Sequence, residues 1–111
     1  MSAPLKQIGF APDLQPLVLS GEKYSTWRLF DDKNLTVGDV LEFVESKSRK
    51  PFAKALLTEI TEKPLGKLTE NDWKGHEKFS SDEEVYQTYS GYYNKPVGPE
   101  TLVKVVRFKL L

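Results

Sequence analysis

Residues 20–28 read "SGEKYSTWR", with a glycine, a lysine, a threonine and an arginine at the offsets G-x-K-x-x-T-x-R. The stretch just before it, "PDLQPLVLSGE", reads as a short helix. Asp13 offers an N-cap oxygen, Pro16 falls in the first turn where its missing N–H is tolerated, and Leu14, Leu17 and Val18 share a face. Gly21 supplies the left-handed residue that ends such a helix. The stretch that follows, "YSTWRLF", is rich in β-branched and aromatic residues and predicts a strand. Alternate residues of a strand share a face, so Tyr24, Thr26 and Arg28 point one way and Ser25, Trp27 and Leu29 the other. Trp27 and Leu29 are natural core residues. That leaves Thr26 and Arg28 toward a cleft or solvent, with Lys23 at the helix-to-strand turn placed to fold over the same face.

Outward from this stretch, the chain alternates short strands with turns. "LKQIGFA" predicts a first strand, "DDKNLTVGDV" a loop punctuated by Gly38-Asp39, and "VLEFVE" and "FAKALLTEI" two strands running antiparallel across a basic turn. From Thr69 the character changes. Thr69 with Asp72, and Ser80 with Glu83, have capping-box spacing, which predicts a short helix near 70–75 and a longer one near 81–92. "NKPVGPE" breaks the second helix, and "TLVKVVRFKL" closes the chain as a last strand. There is no repeat, low-complexity tract or linker. The pattern predicts a single α+β, mostly β, domain over residues 1–111. It would be a small, partly closed β-barrel of five to six strands with two or three short helices at its rim.

Composition narrows the function. With 39% apolar and 29% charged residues the chain reads as an ordinary globular protein, and no apolar run approaches the roughly 20 residues that span a bilayer. The amino-terminal "MSAPLKQIGF" lacks the basic and apolar regions of a signal peptide. The absence of cysteine excludes disulfides, thiolate metal sites and thiol catalysis, and fits a reducing, cytoplasmic setting. Sixteen basic residues balance sixteen acidic ones, whereas proteins that grip long duplexes carry a basic excess. A nucleic-acid partner would therefore be a single strand, a loop or a lone nucleotide. The charge is uneven, though. Lys47–Lys54 holds four cations and no acid, either as solvated surface or as a loop touching phosphate, while Glu70–Glu84 holds six acids and two lysines.

A lysine, a hydroxyl and a guanidinium brought together by the 20–28 stretch suit recognition of an anion or a base edge. They also suit a nucleophile beside an amine base. The one histidine, His76, would need carboxylates to complete a metal site, and none stands at ligand spacing, so neither a metal nor a cofactor is expected. His76 and Glu77 form either an acid–base pair or a helix-end pair. Trp73 is either a stacking platform for a base or a core residue. The tyrosines of "VYQTYSGYY" read as a packing face whose hydroxyls reach a cleft rim.

The chain resembles the ASCH domain family, whose fold is the PUA-like β-barrel. The resemblance rests on Gly21, Lys23, Thr26 and Arg28 after a short helix, on "TVGDVLEF", on "LTENDWKGHEKFSSDEEVYQTYSGYY" and on the closing valine-rich strand. It covers nearly the whole chain. It implies a domain that binds single-stranded RNA or a nucleotide-like ligand, with Lys23, Tyr24, Thr26, Arg28, Trp73 and His76 as candidate contacts. Some family members resemble amidohydrolases acting on N4-acetylcytidine, and others have been assigned RNA cleavage. By motif position, the amidohydrolase roles map onto Thr26 as nucleophile and Lys23 as base, with Glu77 assisting. Nothing in the sequence chooses between monomer and weak dimer.

Overall fold

The computed structural model describes residues 5–30, 33–76 and 78–111. Five strands, β1 (Lys6–Phe10), β2 (Ser25–Leu29), β3 (Val40–Glu45), β4 (Pro51–Pro64) and β5 (Leu102–Leu110), form one sheet in the order β1-β3-β4-β5-β2. Only β1 and β3 run parallel, and the other neighbours are antiparallel. The sheet curls into a half-barrel, with three short helices, α1 (Gln15–Ser20), α2 (Glu70–Trp73) and α3 (Asp82–Tyr93), packed around it. This is the mostly-β α+β architecture that the sequence predicts. Because the barrel is incomplete, β1 and β2 are both edge strands.

Strand alternation creates two cores. On one face Ile8, Phe10, Phe43, Leu57, Val106 and Phe108 pack with Val18 of α1, and the rings of Phe10, Phe43 and Phe108 meet at 4.8–6.5 Å. On the other face Trp27, Leu29, Val103 and Val105 pack against Val85 and Tyr89 of α3. Residues directly opposite in an antiparallel pair share a face. Trp27 stands opposite Val105, and Thr26 opposite Val106. Trp27 therefore joins the helix-side core, while Thr26 looks into the mouth of the half-barrel.

Several local expectations change. Asp13 caps no helix: it lies inside a 3-10 turn (Pro12–Leu14) that precedes α1, and Ala11 flanks that turn without a side-chain bond. Two prolines four residues apart tighten this entrance, with Pro16 in the first turn of α1 as predicted. The predicted strand at Tyr24–Phe30 shrinks to Ser25–Leu29: Phe30 turns to φ = 51°, and the Tyr24 N–H donates to the Gly75 carbonyl while its own carbonyl still accepts the Phe108 N–H of β5. β4 runs four residues past Ile60, since β5 is long enough to pair with it as far as Pro64 opposite Leu102. The Thr69–Asp72 capping box is present. The second box does not form, and the cap lies one residue later than predicted. Ser81, not Ser80, accepts the Glu84 N–H at 3.2 Å, and the Ser80 hydroxyl donates to the Glu84 carboxylate at 2.8 Å. Among the described residues no helix is long and apolar enough to cross a membrane.

Candidate functional site

The 20–28 stretch is fixed from both ends. Gly21 adopts φ = 86°, and its N–H closes α1 on the Val18 carbonyl at 3.2 Å. The Lys23 N–H then returns to the Leu17 carbonyl at 3.0 Å, which folds the chain back under the helix. As a result the Lys23 side chain is 3% exposed, and its Nζ donates to the Ser25 carbonyl at 2.7 Å.

Arg28 does what backbone pairing does elsewhere in the sheet. Edge strands β1 and β2 do not pair with each other. Across the gap, Arg28 Nη2 donates to the Gly9 carbonyl of β1 at 3.0 Å. Its Nε donates to Thr26 Oγ1 at 3.1 Å, and its guanidinium lies 5.1 Å from the Phe10 ring centroid. One planar fork thus ties both edges and fixes the threonine hydroxyl, a geometry a lysine cannot reproduce.

The seam so bridged is a cleft of about 430 Å3. Lys23, Thr26 and Arg28 line one wall, Gly9 and Phe10 a second, and Tyr89, Tyr92 and Tyr93 of α3 a third. Lys33 and Arg49 reach it from loops. Arg49 belongs to the basic Lys47–Lys54 run and sits in a tight turn at φ = 63°. That turn can approach β1 because residue 9 is glycine. A Cβ there would stand 3.1 Å from Ser46 Cα and 3.2 Å from Arg49 Nη1. Four cations line the cleft and no acid does so among the described residues, although the whole chain is neutral.

Behind α3's wall lies a column of rings. His76 stacks on Trp27 at 3.8 Å and 15°, and its Nε2 stands 3.1 Å from the Tyr89 hydroxyl. His76 is 7% exposed, so it reaches the cleft through Tyr89 rather than directly. Trp73 meets Trp27 edge-on at 4.6 Å in the helix-side core and does not line the cleft. Tyr24 also lies outside it, with its ring over Gly75. The structure therefore brings Lys23, Thr26 and Arg28 together, sets His76 one layer behind, and leaves Tyr24 and Trp73 elsewhere. Glu77 lies outside the described residues. Among the described residues no three His, Cys, Asp or Glu side chains gather as a metal site.

Arg49, Lys33, Phe10 and the α3 tyrosines are the lining residues that the motif does not reveal. The basic run was a signal for Arg49 and the tyrosine-rich helix for the tyrosines, though both also suit plain surface or packing, and Lys33 and Phe10 had none.

No family model and no curated protein matches the chain. Solved structures do. Protein EF3133 from Enterococcus faecalis, described under the family DUF984, superimposes with a TM-score of 0.81 at 18% identity, covering 100% of this chain and 82% of that one. An ASCH domain from Lactobacillus crispatus gives 0.69 at 16% identity, over 96% and 79% of the two chains. A mutant of ZmASCH from Zymomonas mobilis gives 0.62 at 17%, over 93% and 66%. The chain has an ASCH-like fold.

Proposed function

We propose that this domain binds a nucleotide or a short single-stranded RNA in the seam between β1 and β2. The observation that supports this most directly is the lining of that cleft. Four cations and three tyrosines, with no acid among the described residues, face one cavity in a chain of zero net charge. Phosphate suits Arg49, Lys33 and the Arg28 fork, and a base suits the ring of Tyr92, which is 65% exposed. The resemblance to ASCH domains points the same way, and a cysteine-free chain suits the cytoplasm. Binding is measured by calorimetry with each of the four ribonucleoside monophosphates. Arg49→Ala is expected to weaken binding and lower its salt dependence by about one phosphate contact. Tyr92→Ala is expected to cost about 1–3 kcal/mol of affinity, the usual worth of a stacked base. No measurable binding to any of the four or to a short single-stranded RNA rules out this reading.

A second reading has an observation of its own. Lys23 and Thr26 line the same cavity, and the threonine oxygen is held by Arg28 Nε. A hydroxyl that attacks an amide carbonyl must lose its proton to a base, and Lys23 is the amine on its own wall of the cleft. The developing oxyanion then finds the guanidinium nearby. The test is incubation with N4-acetylcytidine, watching for cytidine, with Thr26→Ala and Lys23→Ala as controls. Turnover that survives either change excludes this mechanism.

A further inference from the structure

The cleft continues past Arg28. Two more hollows of about 300 and 440 Å3 follow it along the end of β2, and Arg28 lines all three. Lys33 and Tyr93 are shared between the cleft and the nearer hollow, and Phe30 lines both outer ones. The result is one track that pivots on Arg28.

Phe30 stands out for two independent reasons. Its backbone has φ = 51°, in the left-handed region that a bulky side chain adopts only at a cost in free energy. The residue is 42% exposed, so burial offsets little of that cost. Lys95 Nζ lies 4.6 Å from the Phe30 ring centroid, and Tyr93 meets the ring edge-on at 5.5 Å. Two exposed rings, Tyr92 at the cleft and Phe30 beyond it, thus flank a stretch that carries Arg28, Lys33 and Lys95. At the far hollow Lys104 stands opposite Glu62 in the β4–β5 register, so the positive charge fades there.

Two aromatic platforms with cations between them are the surface that a single strand needs, since each base presents a face and each linkage a phosphate. A mononucleotide has one base and cannot use both. We propose that the ligand is a single-stranded oligonucleotide of at least two nucleotides. One base stacks at Tyr92, the next at Phe30, and the intervening phosphate lies across Arg28, Lys33 and Lys95. This inference rests on the nucleotide reading of the cleft.

The experiment uses the whole chain and a fluorescein-labelled random RNA tetranucleotide, with the four ribonucleoside monophosphates as competitors. The tetranucleotide is expected to bind at least about tenfold more tightly than the best monophosphate, the difference that one further stacked base brings. Phe30→Ala should remove that advantage while monophosphate binding stays unchanged, which also shows that the variant is folded. Lys95→Ala should lower the salt slope for the tetranucleotide by about one and leave that for monophosphates alone. Equal affinity for both ligands, or a tetranucleotide affinity indifferent to Phe30→Ala, overturns the extended site and leaves the cleft intact. Failure of every ligand to bind overturns the cleft reading itself.

Discussion

Two clusters of buried polar side chains lie on either side of Gly75, and they differ in one respect. Around Asp72, 6% exposed, every donor points inward: Lys63 Nζ at 2.7 Å, the Thr69 N–H at 2.8 Å and the Thr69 hydroxyl at 3.0 Å all reach the same carboxylate oxygen. Among the described residues Asp72 lines none of the larger hollows, and the one at its neighbour Trp73 is only about 60 Å3. Around Thr26, 4% exposed, the hydrogen bonds are as well formed, but the group forms the wall of a cleft seven times larger. Burial and pairing are the same in kind. Burial of a paired polar side chain therefore does not mark a site; the space beside it does.

The comparison predicts that the closed cluster governs stability and the open one governs binding. Asp72→Ala should have the largest effect. It removes the α2 cap and strands the Lys63 ammonium and two Thr69 donors, at a cost of about 2–3 kcal/mol by urea denaturation. Ligand affinity should not change. The effect should also depend on pH. Burial alone would raise the Asp72 pKa, but the Lys63 and Thr69 hydrogen bonds outweigh it and hold the carboxyl below its ordinary 3.8. The folded state thus takes up its proton at lower pH than the unfolded chain does. The contribution is fully present above the unfolded value and is lost as pH falls through the lowered folded one. The difference between wild type and Asp72→Ala should accordingly shrink as pH falls from neutral through and below the ordinary carboxylate range. A constant difference across that range would mean that the carboxylate charge stabilises nothing.

Gly75 joins the two clusters and ranks next. Its carbonyl accepts the N–H groups of Tyr24 and Ser25 at 3.0 and 3.1 Å, its φ is 76°, and a Cβ would meet the Tyr24 ring at 2.6 Å. Tyr24 is 42% exposed and can swing away, but the backbone strain remains. Gly75→Ala should cost about 1–3 kcal/mol. Because the start of the motif hangs on this carbonyl, it should also weaken ligand binding, unlike Asp72→Ala. Equal binding in the two variants would show that the clusters are mechanically separate.

How much of this the chain announces depends on the distance over which each feature is set. The helix end at Gly21, the alternation that separates Trp27 from Thr26, and the Thr69–Asp72 cap depend on neighbours within four residues, and each is readable locally. The Ser80–Ser81 ambiguity is local too, but adjacent serines offer the same chemistry, and only the helix register selects one. Tyr24 misleads because the partner of its N–H, the Gly75 carbonyl, is 51 residues away, and a strand pattern does not show that its first residue is bonded to the sheet on one side only. The rest of the cleft depends on which strands become the edges. Arg49 and Tyr92 share a cavity because β1 and β2 end the sheet, and no periodicity reports sheet order. Ring count is similarly silent: Tyr89, Tyr92 and Tyr93 recur at helical spacing whether they pack, bind or do both.

Thr26→Val should have the smallest effect on stability and the sharpest on function. The shape is kept, the hydroxyl is lost, and Arg28 Nε loses one acceptor while Nη2 retains Gly9. Arg28 is only half-buried, so water can replace the missing oxygen, and the cost should be about 0.5–1.5 kcal/mol. If the cleft only holds its ligand, affinity should change by no more than the worth of one neutral hydrogen bond, about tenfold. If the cleft also cuts an amide, cytidine release from N4-acetylcytidine should stop altogether, because valine has no oxygen to form the acyl bond. The two measurements on one variant separate a hydroxyl that positions the arginine from a hydroxyl that attacks. Loss of turnover with affinity retained assigns attack to Thr26, and a wild type without turnover leaves it the acceptor that squares the Arg28 fork across the seam.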